Sequence, residues 1–336
     1  MTHELQAIFK HFQIAHTQGL PCVLATVVAL DGSSYRKPGV RMLFDVNGNS
    51  TGAVSGGCVE KEILRQAQSV FESHIPKVIT YDGRYRLGCE GFIHILIEEF
   101  NPNQSCQDAF EEALVTRKAI ETHSYFLPNQ TSEKGMGTEL VINQIHYNIT
   151  DQPLQKNLLT DAQVMPPIPR LIIAGMEHDA QQLCAQATLL GWEIIIWKAL
   201  DQMVGMESFS GASQIKSVSP DSIKKIKMDK YTAVLLMTHN YAKDLHFLLN
   251  LSKLSPLFYL GVLGSHKRME QLQFDLLERD ENIDLEFLNT IHGPAGLNIK
   301  AITPQEIAIS IIAEIVQELR SIPQLTPQSI NQIAYE

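Results

Sequence analysis

The sequence predicts an α/β protein in two parts, an α+β domain followed by a doubly wound parallel sheet. Three observations carry that expectation. The first hundred residues alternate strand runs with a hairpin signal; the prolines of "MPPIPR" close a polar stretch; and from Arg170 a strand, loop and helix rhythm repeats to the last helix. At 336 residues the chain exceeds the roughly 250 residues at which single cores stop growing. The expected division is an N-terminal domain over 1–100, a middle segment and linker over 101–165, and a C-terminal domain over 166–336. Apolar residues make up 44% and charged residues 19%, with no repeat at solenoid spacing, as in a folded globular protein.

In the first half, the apolar spacing of "HELQAIFKHFQIAHT" predicts a helix from Glu4 to Thr17, and "CVLATVVAL" a strand. "DGSSYRKPG" is turn chemistry. "VRMLFDV" runs into "NGN", a strong hairpin signal, and "STGAVSGG" follows. Val59, Ile63, Ala67 and Val70 share one helical face, and "KVITYDG" and "FIHILIEEF" read as two further strands around a glycine-containing loop. Beyond residue 100 the pattern predicts a helix over Gln107 to Glu121, then strands at "SYFLP" and "TELVINQIHYNI".

The second half opens with "RLIIAGMEHDAQQLCAQATLLGWEIIIWKAL", a βαβ unit. "YTAVLLMTHNYAKDLHFLLNL", "PLFYLGVLGSHKRMEQLQFDL" and the helical "PQEIAISIIAEIVQELR" continue it, which predicts a Rossmann-like sheet with ligands beyond the strand carboxyl ends. Gly175 and Ala180 fit the first and third positions of a dinucleotide fingerprint. Glu177 occupies the second, where a carboxylate repels phosphate, and the next strand ends in Trp197 and Lys198 rather than an acid. NAD(P) is therefore disfavoured, and an NAD(P)-dependent oxidoreductase stands as the alternative reading. His239 and Asn240, at a strand carboxyl end, and Ser265, Lys267 and Arg268, at a helix start, are candidate ligand contacts. Helix capping is the competing role for Asn240 and Ser265. His292 and Glu306 belong to the same expected crevice.

The net charge of -10 argues against nucleic acid or an acidic membrane as a general partner, since both demand a basic face. No run is apolar enough to span a bilayer and the first residues lack a signal-peptide pattern, so a cytoplasmic location is expected. The five cysteines are scattered without a C-x-x-C pair, which points to free thiols. Cys58 has the most specific surroundings. A helix beginning near it directs free amides and a positive dipole end toward the thiol, and Gly56 and Gly57 allow close backbone approach. Arg36, Lys37 and Arg41 gather cations nearby, so an anion pocket with a thiolate at its edge is one reading. A turn with Cys58 packed beneath it is the other. A cysteine hydrolase or transferase would require a histidine close to Cys58.

"GSSYRKPGVRMLFDVNGNSTGAVSGGCVEKEI" resembles the signature of the XdhC/CoxI family, the accessory proteins of xanthine dehydrogenase and carbon monoxide dehydrogenase. The likeness continues through "TYDGRYRLGCEG", "PPIPRLIIAGMEHDA", "VLLMTHNY", "YLGVLGSHKRMEQL" and "IHGPAGLNIKAITPQEIAISIIAEI". The resemblance implies a cofactor-binding and insertion chaperone rather than a turnover enzyme. It would hold molybdenum cofactor (molybdopterin), support its sulfuration by a cysteine desulfurase and deliver it to a molybdenum hydroxylase apoenzyme, as a homodimer. By position it implies a cofactor loop at Gly56, Gly57 and Cys58, with Cys58 a molybdenum contact, Cys89 a second thiol and Glu60 the motif's acid. The cofactor's phosphate would meet Arg36, Lys37 and Arg41. Tyr35 and Ser55 depart from the family's proline and glycine, the Cys89 loop is short, and Glu177 and Lys198 replace a glycine and an aspartate.

Overall fold

Leu5, Ile8, Phe9, Phe12 and Ala15 recur at helical spacing and are all buried along α1 (Thr2–Thr17). The computed structural model describes residues 2–32, 37–55, 58–82, 91–128, 131–200, 205–254 and 257–323. Two compact units divide the chain at Pro167/Ile168.

In the first unit, β1 (Cys22–Gly32) pairs antiparallel with β2 (Arg41–Asp45), which turns into β3 (Ser50–Gly52). The turn uses Gly48 at φ +85, while the Asp45 carboxylate accepts from Asn49 N–H at 2.9 Å. Next come α2 (Cys58–Ser73), β4 (Lys77–Asp82), β5 (Gly91–Glu99) and α3 (Gln104–Thr116). The chain continues through β6 (Ile120–Phe126), β7 (Thr131–Ser132), β8 (Gly137–Ile142), β9 (Ile145–Asn148) and β10 (Leu159–Met165). Six strands form an antiparallel sheet in the order β3-β2-β1-β5-β4-β7. Alternation along β1 serves both of its faces. Val23, Ala25 and Val27 pack under Val59, Ile63, Ala67 and Val70 of α2. Leu24 joins the aromatic cluster of α1 and α3, where Phe9 stacks on Phe110 with centroids 4.0 Å apart.

The middle segment differs from its expected form. The helix stops at Thr116, because Arg117 takes a left-handed C-cap at φ 55, and Ile120 already opens β6. "TELVINQIHYNI" is a hairpin rather than one strand: Asn143 and Gln144, at φ 50 and 67, turn β8 into β9. The polar stretch before the prolines supplies β10, whose only fully buried residue is Met165, so its strand character comes from pairing with β6. A four-stranded antiparallel sheet results, in the order β10-β6-β8-β9.

The second unit contains β11 (Arg170–Ala174), α4 (His178–Leu189), β12 (Glu193–Lys198), β13 (Gln214–Ser217), β14 (Thr232–Leu236) and α5 (Tyr241–Leu251). β15 (Tyr259–Val262), α6 (His266–Arg279), α7 (Leu285–Asn289), β16 (Ile291–His292) and α8 (Pro304–Ser321) complete it. The strands are parallel and ordered β13-β12-β11-β14-β15-β16. That is the Rossmann order, with its switch point between β11 and β14. One apolar core lies on each face, including residues of α4 and α8 on one side and of α5 and α6 on the other. Among the described residues no helix is long and apolar enough to cross a membrane.

Candidate functional site

At one end of the antiparallel sheet Gly32 pairs with Gly91 and Asp82 with Phe92, while β2 and β3 stop short of that end, with Arg41 opposite Thr26 and Gly52 opposite Met42. The 16-residue helix α2 begins at Cys58, and its Val59 and Ile63 share an apolar cluster with Leu30, Val40 and Tyr81. Arg36, Gly56, Gly57 and Cys89 lie outside the described residues, as does the Cys58 side chain. Lys37 is exposed.

Glu60, two residues into α2, reaches back so that its Oε1 accepts from Ser55 N–H at 2.6 Å. Among the described residues its Oε2 is buried with no hydrogen-bond partner, as are the Tyr81 hydroxyl near the end of β4 and the Thr26 hydroxyl on β1. At the same sheet end His94 lies 3.1 Å from both Asp31 Oδ2 and Thr80 Oγ1. Nothing in the sequence pattern marks His94, because Asp31 and Thr80 become its neighbours only through strand pairing.

Arg41 requires a correction. Its residue is only 8% exposed and its guanidinium points inward, donating to Gly39 O at 3.0 Å and to Thr122 Oγ1 at 2.6 Å. Glu98 and Asp161 face it and offset part of the cost of burying the cation. Burial is the largest influence on both acids, and with Arg41 opposing it Glu98 rests at about 7 and Asp161 at about 6. A buried cation needs such partners, and they leave Arg41 committed to joining the two sheets rather than to a phosphate.

At the switch point, Gly175 has φ +153, and a Cβ there would lie 2.3 Å from Met237 O, so the close approach of the loops after β11 and β14 requires glycine. Ala180 is fully buried under the sheet. Glu177 is the exposed N-cap of α4 and makes no side-chain cap bond; Asp179 adds a second acid to that first turn. Trp197 is buried against Phe247, with ring centroids 5.7 Å apart.

Among the remaining candidates, Asn240 and Ser265 are caps, accepting from Lys243 N–H at 3.0 Å and Arg268 N–H at 3.3 Å. Arg268 donates to buried Asp244 at 2.6 Å; Thr238 holds the other carboxylate oxygen at 2.6 Å. Burial raises the Asp244 pKa, and those two bonds oppose the shift. His239, at φ 51, is half-exposed with Nε2 3.8 Å from Asp179 Oδ2, and Lys267 is exposed. Glu306 closes a capping box on α8 with Thr303. His292 stacks on Tyr259 at 4.5 Å and meets Glu314 at 3.3 Å, which raises its pKa. Capping and internal pairing thus occupy most of the expected crevice residues.

An acid-bearing helix start at the switch point of one unit, and a cysteine-headed helix packed on the antiparallel sheet of the other, define a two-part α/β protein whose parallel sheet lacks a phosphate-binding turn of the usual kind. Comparison with known proteins gives this class a family. Residues 15–82 match the model described as XdhC and CoxI family, and residues 171–315 match that of the XdhC Rossmann domain. The chain belongs to the XdhC/CoxI family.

Among its relatives is a Bacillus subtilis protein named as a probable xanthine dehydrogenase subunit, 28% identical over 88% of this chain and 92% of that protein. Escherichia coli PaoD, named a molybdenum cofactor insertion chaperone, is 25% identical over 94% of this chain and 89% of its own length. A crystal structure titled as a xanthine dehydrogenase from Bacillus halodurans superposes with a TM-score of 0.76, at 26% identity, covering 94% of this chain and 96% of that one.

Proposed function

We propose that this protein is an accessory protein for a molybdenum hydroxylase such as xanthine dehydrogenase, and that it holds molybdenum cofactor at the loop end of the antiparallel sheet before delivery to the apoenzyme. The observation that carries the reading is a pair of buried polar atoms with no hydrogen-bond partner among the described residues, Glu60 Oε2 in the first turn of α2 and the Tyr81 hydroxyl near the end of β4. The names of the Bacillus subtilis and Escherichia coli relatives support the same role.

The described residues at that end fit the group. A pterin carries ring N–H donors and a carbonyl acceptor, and Glu60 Oε2 and the Tyr81 hydroxyl, two of the buried polar atoms without partners among the described residues of this sheet, are of complementary kinds. Lys37, before β2, is an exposed cation available for a phosphate, with Arg36 its neighbour in sequence. Cys58, at the positive end of α2, is the thiolate donor, and Cys89 is a second thiol of the same site. The bound group supplies the molybdenum centre; the protein binds it, orients it and keeps it from water. Sulfuration by a cysteine desulfurase, and a homodimer as the working form, complete the proposal. No substrate turnover is assigned.

The test is transfer. Purified protein is loaded with cofactor released from a donor enzyme, separated from free cofactor by gel filtration, and mixed with a metal-free hydroxylase apoenzyme. Wild type is expected to carry molybdenum and pterin through the column and to restore hydroxylase activity. Cys58→Ala is expected to do neither. A wild type that retains no cofactor would refute the proposal.

A further inference from the structure

The sheet formed by β6, β8, β9 and β10 gathers a histidine and carboxylate set remote in sequence from every motif discussed above. His123 on β6 lies directly opposite Glu139 on β8, and His146 on β9 is diagonal to Glu139 on the same face. His123 and Glu139 are buried, Glu139 completely, and His146 is half-exposed. One ligand atom from each of the three lies within 4.8 Å of the others.

The hydrogen bonding around Glu139 is lopsided. The Tyr125 hydroxyl at 2.8 Å, His146 Nδ1 at 2.9 Å, Lys156 Nζ at 3.3 Å and His123 Nδ1 at 3.4 Å all converge on Oε1. A carboxylate oxygen has only about two lone-pair sites. Oε2, fully buried, meets no well-aligned donor among the described residues, and only the Lys156 ammonium pairs with it, at 3.0 Å. That ammonium also lies 3.5 Å from His146 Nδ1, so carboxylate and lysine compete for one ring nitrogen.

A single cation placed among the two imidazoles and the carboxylate would relieve both faults. Ligands about 2.0–2.1 Å from a tetrahedral zinc ion are about 3.3 Å apart. The nitrogen–oxygen separation of 3.4 Å at His123 already has that spacing, and the 2.9 Å at His146 needs a few tenths of an ångström of opening. Two imidazoles and one carboxylate suit a borderline divalent transition metal rather than magnesium or calcium.

We propose that His123, Glu139 and His146 form a binding site for one divalent transition metal ion of the zinc class, and that Lys156 is the displaceable cation filling it in the metal-free protein. Lys156 is well suited to that part. Its side chain is 55% exposed, so its ammonium leaves for water at little cost. Its departure opens the fourth coordination position.

Zinc, with magnesium as the hard-ion control, is dialysed against metal-stripped full-length protein carrying Cys58→Ser and Cys89→Ser, so that thiolate binding is not read as this site. Cobalt(II) is used in parallel for its absorption spectrum. The expected result is one zinc per chain, no magnesium, and a cobalt spectrum without thiolate charge-transfer bands. His146→Ala, at a half-exposed position that spares the core, should weaken binding by more than about 100-fold, and Lys156→Ala should tighten it. Absence of zinc binding, binding unchanged in His146→Ala, or binding unaffected by Lys156→Ala would each overturn the proposal.

Discussion

Each half of this protein starts a helix beside an end of its sheet, and the two places use their polar side chains differently. At the switch point of the parallel sheet, Asn240 and Ser265 cap helices and Arg268 neutralises Asp244, while Glu177 and Asp179 stand around the start of α4. The buried polar atoms without partners there, Trp197 Nε1 and Arg268 Nε, are donors embedded in or beside apolar packing. At the end of the antiparallel sheet the corresponding atoms are a carboxylate oxygen and a hydroxyl, Glu60 Oε2 and Tyr81, next to the start of a cysteine-headed helix. The location that the Rossmann fold favours for ligands is thus largely used for structure, whereas the first unit keeps an acceptor and a hydroxyl that no described residue pairs.

The largest expected effect lies in the first unit's interior. Arg41→Met removes the cation facing Glu98 and Asp161 and should cost about 3–5 kcal/mol in urea unfolding, as loss of one partner from a buried charge cluster does. His239→Ala, at the exposed edge of the switch point, should stay within about 0.5 kcal/mol of wild type. If Arg41→Met were equally mild, Arg41 would not be the structural link between the sheets.

Gly175→Ala tests the second unit's frame. The new Cβ would meet Met237 O, and the expected loss is about 2–3 kcal/mol in the thermal or urea transition of that unit. A neutral result would mean that the loops after β11 and β14 do not approach as closely as described.

The pH response sharpens the same contrast. Burial raises Glu98 from an ordinary 4.5 to about 7, so the folded state binds a proton that the unfolded chain has already released. Stability from this group is complete below pH 4.5 and is lost as pH rises through 7. Glu98→Gln removes the titration, so its stability relative to wild type should climb by up to about 1.4 kcal/mol per pH unit within that window and level off above it. A flat difference across pH 4.5 to 7 would show that Glu98 is not held protonated.

The smallest effects are the caps. Asn240→Ala and Ser265→Ala should each cost about 1 kcal/mol of stability and leave cofactor retention unchanged. Loss of retention in either variant would transfer part of the site to the switch point.

What the sequence made legible follows from range. The parallel sheet was readable because "RLIIA", "EIIIW" and "TAVLL" are buried on both faces and appear as continuous apolar runs. Gly175, Asn240 and Ser265 were readable because turns and caps are local. Arg41 was misread because its partners Thr122 and Asp161 come from β6 and β10, and a basic cluster in sequence says nothing about which cation turns inward. β10 escaped notice because only Met165 in it is fully buried. His123, Glu139 and His146 have no metal-ligand spacing along the chain; only strand register unites them.

The most direct measurement compares the two sheet ends in one experiment. Molybdenum and pterin bound per chain are determined after gel filtration for wild type, Cys58→Ala, Glu60→Gln and the double variant His239→Ala/Lys267→Ala. The account predicts that Cys58→Ala and Glu60→Gln lose cofactor, while the switch-point double variant retains it like wild type. Retention by Cys58→Ala together with loss in the double variant would contradict it and move the cofactor to the parallel sheet.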